Sequence, residues 1–163
     1  MTNPALDTPT DLASNSTKSV ADALNSALAD SYALYLKTKN FHWHMSGPHF
    51  RDYHLLLDDQ AAQILAITDA IAERVRKTGN TTLRSIGDIS RRQTIADNDM
   101  DFVAPTAMLA ELREDNLKLI ESFRTVKDAA DAAKDNATSG VVDAWTDEAE
   151  ERAWFLFEAS RTA

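Results

Sequence analysis

Two histidines and three carboxylates of this 163-residue chain fall at spacings that suit metal chemistry. His54 and Asp58 stand four residues apart, as do Asp69 and Glu73, and His42 lies upstream of both pairs. On an α-helix, residues i and i+4 share a face one turn apart, so each pair can offer two ligands to one ion. Imidazole with carboxylate suits iron, zinc or manganese, whereas all-oxygen sites suit harder ions. The two pairs cannot meet on one metal within one subunit, because fifteen residues of continuous helix separate them, roughly 22 Å at about 1.5 Å per residue. Either the chain carries two incomplete half-sites, or two copies of the helix run antiparallel and each completes the other's site. The second arrangement places a metal centre at a two-fold interface. Taken singly, Asp58, Asp69 and Glu73 fit solvated charges on a helix face, and His54 fits a core histidine. The paired spacing, with His42 on the preceding segment, is what marks the set.

Long helices must carry these residues, and the breakers are placed to allow them. The chain has four Gly and four Pro. Gly47, Pro48, Gly79, Gly87, Pro105 and Gly140 punctuate it, and Pro4 and Pro9 lie near the N-terminus. Most stretches between them are rich in Ala and Leu, which predicts an all-α antiparallel four-helix bundle. Residues 1–18, polar and poor in apolar side chains, read as a mobile N-terminal tail, and residues 19–163 as the bundle.

The first helix is expected from residue 17 or 19 to about 45, with Val20, Leu24, Leu28, Tyr32 and Tyr35 at helical spacing and Lys39 and His42 on the same path. Gly47 suits its stop and Pro48 a first-turn position of the next helix, over residues 49–77. Phe50, Tyr53, Leu57, Ala61, Ile64, Ile71 and Val75 form that helix's apolar face, and Arg74, Arg76 and Lys77 complement its dipole. The connection over residues 80–104 is long, with a short helix expected across residues 86–95. A third helix, from 105 or 106 to about 134, points Met108, Leu112, Ile120, Phe123 and Val126 inward. Residues 135–140 read as a turn, and 141–160 as a fourth helix carrying Trp145, Trp154, Phe155 and Phe157. A bundle whose second connection is the long one matches the ferritin-like arrangement.

The net charge of −9 describes an acidic surface, which repels nucleic acid and attracts cations. There is no cysteine, hence no disulfide framework and no thiolate ligand. No apolar run is long enough to span a membrane, and the N-terminus lacks a basic start followed by an apolar block. A cytoplasmic location, with the nucleoid as a place of association, is the expectation.

The stretch Phe41-His42-Trp43-His44-Met45-Ser46-Gly47-Pro48-His49-Phe50, followed by Tyr53-His54-Leu55-Leu56-Leu57-Asp58-Asp59, resembles the signature of the Dps family. These are miniferritins, the DNA-binding proteins from starved cells. The resemblance continues through Asp69, Ala72-Glu73-Arg74 and Trp154-Phe155-Leu156, and covers most of the chain after about residue 19. It implies a dodecameric shell of four-helix subunits around an iron-storing cavity. It implies ferroxidase sites at two-fold interfaces, with His42, His54 and Asp58 from one chain and Asp69 and Glu73 from the facing one. The activity implied is oxidation of Fe(II), typically by hydrogen peroxide, with oxygen as the other oxidant, and storage of ferric iron. Removing iron and peroxide would protect DNA from oxidative damage. Zinc suits the same ligands. Ordinary ferritins use Glu-x-x-His pairs inside one bundle, and this chain has no such pair.

Several neighbours of the motif have plainer roles. Trp43 lies beside His42 and suits either proximity to the metals or interface packing. His44 and His49 read as surface or interface residues, and Arg74 as half of a structural ion pair. Family pores at three-fold axes are acidic near the last helix, where Asp135, Asp143, Asp147, Glu148, Glu150 and Glu151 lie. Asp143 and Asp147, at i, i+4, are the candidate pore residues. A competing function is a nucleoid protein that condenses DNA with metal binding secondary. DNA-condensing members do so through basic tails, whereas this tail has one Lys against Asp7 and Asp11. A basic cluster of Arg74, Arg76, Lys77, Arg84, Arg91 and Arg92 offers the other route to phosphates. Direct DNA binding is not expected.

Overall fold

The computed structural model describes residues 3–161 and shows two helical hairpins packed into an all-α bundle. Helices α1 (Ser14–His44) and α2 (Phe50–Lys77) form the first hairpin, and α4 (Pro105–Ala132) and α5 (Asn136–Ser160) the second. The long crossover between them holds α3 (Ile86–Arg92), which packs against α1. The expected architecture, including the short extra helix in the second connection, is the one observed.

The α1–α2 turn depends on Gly47, whose φ of +98° lies in the left-handed region that a side chain disfavours. Pro48 sits within this turn and His49 at the N-cap, so Pro48 is not in the first turn of α2 as expected. Gly79 ends α2 at φ +85°, and an added Cβ would lie 2.9 Å from the Thr8 carbonyl oxygen. That close approach belongs to the N-terminal segment, which includes a 3-10 turn at Pro4–Leu6. Arg76 Nη2 donates to Leu6 O at 2.6 Å and to Thr8 Oγ1 at 3.1 Å. The helix starts at Ser14, ahead of the expected residue 17 or 19. Residues 1 and 2 of the expected tail lie outside the described residues.

The second hairpin departs from expectation at its turn. Residues 135–140 are not a loop. Asp135, buried, caps α5 by accepting from Thr138 N at 3.0 Å, and the helix runs from Asn136 straight through Gly140. The turn is tighter, with Lys134 in the left-handed region at φ +58°. The cap satisfies an orphan donor at the helix start, which outweighs the weak helix propensity of one exposed glycine.

Val20, Leu24, Leu28, Leu57, Ile64, Ile71, Leu112, Phe123, Val126 and Trp145 are among the buried core. Phe50, Trp154, Phe155 and Phe157 are not, each keeping more than two-fifths of its surface exposed. Asp30 pins the crossover. This fully buried carboxylate accepts from Thr94 N (2.6 Å), Ile95 N (3.1 Å), Thr94 Oγ1 (2.9 Å) and Ser122 Oγ (3.2 Å), tying α1 to the segment after α3 and to α4. Among the described residues no helix is long and apolar enough to cross a membrane.

Candidate metal centre

The open end of the first hairpin brings His42, near the end of α1, against His54, in the second turn of α2. Their rings stack with centroids 3.8 Å apart and planes at 19°. Nδ1 of His42 lies 2.7 Å from the His54 carbonyl oxygen, and Nδ1 of His54 lies 2.9 Å from the His42 carbonyl oxygen. A carbonyl only accepts, so each Nδ1 carries the proton and donates. In the neutral rings Nε2 is then the free lone pair, the atom that ligates a metal. Phe50, one turn before His54 on α2, stacks on the His54 ring at 4.9 Å.

Asp58 completes this cluster one turn further along α2, with Oδ1 3.9 Å from His42 Nε2. The same oxygen accepts from Lys39 Nζ at 2.7 Å. The Lys39 hydrogen bond, with the Lys39 charge and both histidines assisting against a desolvation effect, holds the Asp58 carboxyl below the usual carboxylate range. His42 is buried while Asp58 is exposed, so the cluster opens to the surface on its carboxylate side. Lys39 is the residue whose role the ligand spacing misses. Its signal is present: Lys39 stands three residues before His42, on the same face of α1.

Asp69 and Glu73 lie on the same helix, roughly 22 Å from His54 and Asp58 at about 1.5 Å of rise per residue. Both are exposed, and Glu73 Oε2 pairs with Lys77 Nζ at 3.1 Å. So the structure brings His42, His54 and Asp58 together and leaves Asp69 and Glu73 apart from them. Among the described residues of one subunit, no three of His, Asp and Glu converge closely enough to hold a metal. Each half is therefore short of ligands by itself.

The neighbours of the cluster lie mostly at the subunit surface. Trp43 is 58% exposed, with Lys39 Nζ 5.8 Å from its ring centroid. His44 is exposed and bonds through Nδ1 to Asn40 O at 2.8 Å, and exposed His49 packs near Tyr53. Arg74 reaches Asp135 at 3.4 Å, the structural ion pair expected of it. Asp135 is buried and also accepts from Thr138 Oγ1. Asp143 and Asp147 are exposed, and Asp143 Oδ2 pairs with Lys127 Nζ at 2.9 Å.

Similarity to known proteins agrees with this fold. A ferritin-like domain model matches residues 21–160. An uncharacterised low temperature-induced protein of Nostoc sp. is 36% identical over 84% of this chain and 77% of its own length. The DNA protection during starvation protein of Agrobacterium fabrum is 33% identical over 91% of this chain and 92% of its own. Among solved structures, DpsC from Streptomyces coelicolor superposes with a TM-score of 0.91 at 25% identity, covering 95% of this chain and 91% of that one. On the bundle, the match over nearly its whole length and these relatives, the chain belongs to the Dps family of ferritin-like proteins.

Proposed function

We propose that two copies of the chain pair about a two-fold axis, so that His42, His54 and Asp58 of one subunit face Asp69 and Glu73 of the other. One observation carries this reading: the two ligand groups sit on one helix, too far apart to share an ion, and neither is sufficient alone. An antiparallel α2 pair solves both halves at once, since an isologous interface creates two identical composite sites. An intrasubunit centre is disfavoured by what fills the bundle. Lys37 and Arg152, both buried cations, stand on inward faces of α1 and α5, where ferritin-like carboxylate sites place their ligands.

The composite site is a ferroxidase for which iron is the substrate. Two Fe(II) ions give up one electron each, and hydrogen peroxide takes both and, with two protons, leaves as water. His42 and His54 supply Nε2 donors whose direction is fixed before iron arrives. The carboxylates supply negative charge that favours the ferric product. Lys39, on Asp58, holds the carboxylate in place and gives way when iron binds. The product is stored in a closed homo-oligomeric shell, a dodecamer in this reading. Asp143 and Asp147 are candidates for its iron entry path. Zinc suits the same donor set and competes with Fe(II) for it. DNA is protected in the cytoplasm by removal of iron and peroxide, a reading that the DNA protection during starvation proteins among its relatives support as far as the protection itself.

The test is complementation between broken halves. One variant carries His42→Ala, His54→Ala and Asp58→Ala; the other carries Asp69→Ala and Glu73→Ala. Each alone should be nearly inactive in peroxide-driven Fe(II) oxidation. Reassembled together, random pairing leaves roughly a quarter of the sites intact, because half the dimers are mixed and each has one whole site. No recovery in mixed shells, with size and helicity preserved, would rule out the composite site.

A further inference from the structure

The largest of the fully buried side chains is a charged one. Arg152 of α5 is 1% exposed and faces α2 and α4. Its Nε donates to Asn116 Oδ1 at 2.9 Å, and its backbone carbonyl accepts from Gln60 Nε2 at 3.2 Å. The Asn116 amide is itself spent on the Leu112 carbonyl at 2.8 Å. Nη1 and Nη2 are buried and have no hydrogen-bond partner among the described residues. Burial pushes the guanidinium down to about 10, with the charges of Glu148 and Glu151 opposing, so it is still a cation at neutral pH. Both glutamates are exposed, and neither pairs with it. A buried cation is normally matched by a counter-charge with its donors satisfied.

A third orphan lies on the facing helix. Gln63 Oε1 is buried without a partner, one turn beyond Gln60 on α2. Because α2 and α5 run antiparallel with Gln60 beside Arg152, Gln63 is level with Ala149, one turn back along α5. A helical side chain leans toward the N-terminus of its own helix, so the guanidinium reaches toward that same level. Ala149 is buried there and offers only a methyl group, so it gives the guanidinium no polar partner. A half-turn of the Gln63 amide exchanges its oxygen for another donor.

We propose that the bundle interior between α2, α4 and α5 binds one small monovalent anion of chloride size, with Arg152 Nη1 and Nη2 as its donors and the Gln63 amide closing the site. Water fits the chemistry less well. It brings no counter-charge and must place its own hydrogens among donors and methyl groups. A halide neutralises the guanidinium, accepts several N–H groups and donates none. A dianion would bring a second charge that nothing here matches. The site is separate from His42, His54 and Asp58 and makes no demand on iron chemistry.

Two measurements on the full-length assembled protein test this. In crystals grown with sodium bromide replacing chloride, anomalous scattering should show one bromide per subunit in contact with Arg152 Nη1 and Nη2. Water alone at that position, or bromide only elsewhere, overturns the proposal. In solution, replacing gluconate with chloride at constant ionic strength should raise the thermal midpoint saturably, by on the order of 2–4 °C. Sulfate should not reproduce the saturable rise, and Arg152→Met should abolish the chloride effect. An equal chloride effect in wild type and Arg152→Met would overturn the proposal as well. Should Arg152→Met fail to assemble, the bromide result on the wild-type protein decides.

Discussion

His42 and His54 orient each other. Each ring donates from Nδ1 to the other's backbone carbonyl, at 2.7 and 2.9 Å, while the rings stack at 3.8 Å. The pairing locks two ring directions and both tautomers with groups the two residues already own. Outer partners of this kind ordinarily come from a separate carboxylate or carbonyl.

The composite site predicts strong non-additivity. His54→Ala removes one Nε2 donor and the stacking partner of His42, while the main-chain carbonyl of residue 54 still accepts from His42 Nδ1. Ligands of one site act as a unit, so His54→Ala and the His42→Ala/His54→Ala double variant should lose nearly the same amount of activity, on the order of 10- to 100-fold or more. Stopped-flow Fe(II) oxidation with peroxide checks it, alongside sedimentation to confirm that the shell still assembles. Independent, multiplying losses would mean that the two histidines do not serve one site as a unit.

Lys39 gives a prediction of opposite sign. Its ammonium sits 2.7 Å from Asp58 Oδ1, the oxygen nearest His42 Nε2, and competes with any incoming cation. Lys39→Met should raise the Asp58 pKa toward the ordinary carboxylate value. The Lys39 hydrogen bond is the largest influence lowering it. At neutral pH, where Asp58 is ionised either way, the variant should bind Fe(II) several-fold more tightly in anaerobic titration. Weaker binding would show that Lys39 serves chiefly to hold Asp58 in place.

How much of this was legible in the sequence depends on the range of the interaction. The i, i+4 pairs and the apolar repeats are local, so α2 and its half-sites could be read directly from His54, Asp58, Asp69 and Glu73. That His42 would meet His54 depended on the tight turn at Gly47, which composition also marks. The cap at Asp135 was missed because an Asp followed three residues later by Thr138 reads equally well as a turn. The docking of Leu6 and Thr8 on Arg76 joins residues about seventy apart in sequence, and no local pattern encodes it. Arg152 was invisible for a related reason. A basic residue between Glu151 and Ala153 looks like surface until the antiparallel partner helices are in place.

The Lys37–Asp115 pair is the most buried ion pair of the bundle, at 2.6 Å with both side chains 4% exposed. Glu111 adds a second carboxylate to Lys37 at 3.0 Å. Asp115→Ala should destabilise the subunit by about 3 kcal/mol, since it strips a buried ammonium of its nearer partner. The double change Lys37→Met/Asp115→Leu should be close to neutral, because it removes both charges and keeps volume. Burial pushes the Asp115 carboxyl above its ordinary value, the Lys37 hydrogen bond and charge opposing it. A group with a raised folded pKa contributes stability below its unfolded pKa and loses it as pH rises through the folded one. Denaturant unfolding of Asp115→Asn across the acid range should therefore lack a stability decrease that the wild type shows there.

Nucleic acid is the last partner to test, and here charge pairing decides. Electrostatic binding grows with the number of phosphates neutralised and weakens steeply with salt. Lys18, the one base of the expected tail, lies in α1 and is already paired with Asp22 at 2.6 Å. In the basic cluster Arg74 is on Asp135, Lys77 on Glu73, Arg91 and Arg92 on Asp88, and Arg76 on the backbone of residues 6 and 80. Arg84 remains exposed, against a subunit charge of −9 that every copy repeats. Avidity multiplies only an attraction that each copy already has. Gel retardation with plasmid DNA near neutral pH should show no stable complex at physiological salt, and deleting residues 1–17 should change little. In a peroxide-and-iron cleavage assay the protein should still protect DNA, and the ligand variants should not. Retardation abolished by neutralising Arg84, Arg91 and Arg92 would show that the crossover overrides the acidic surface. Retardation lost with the tail would place the contact at the N-terminus instead.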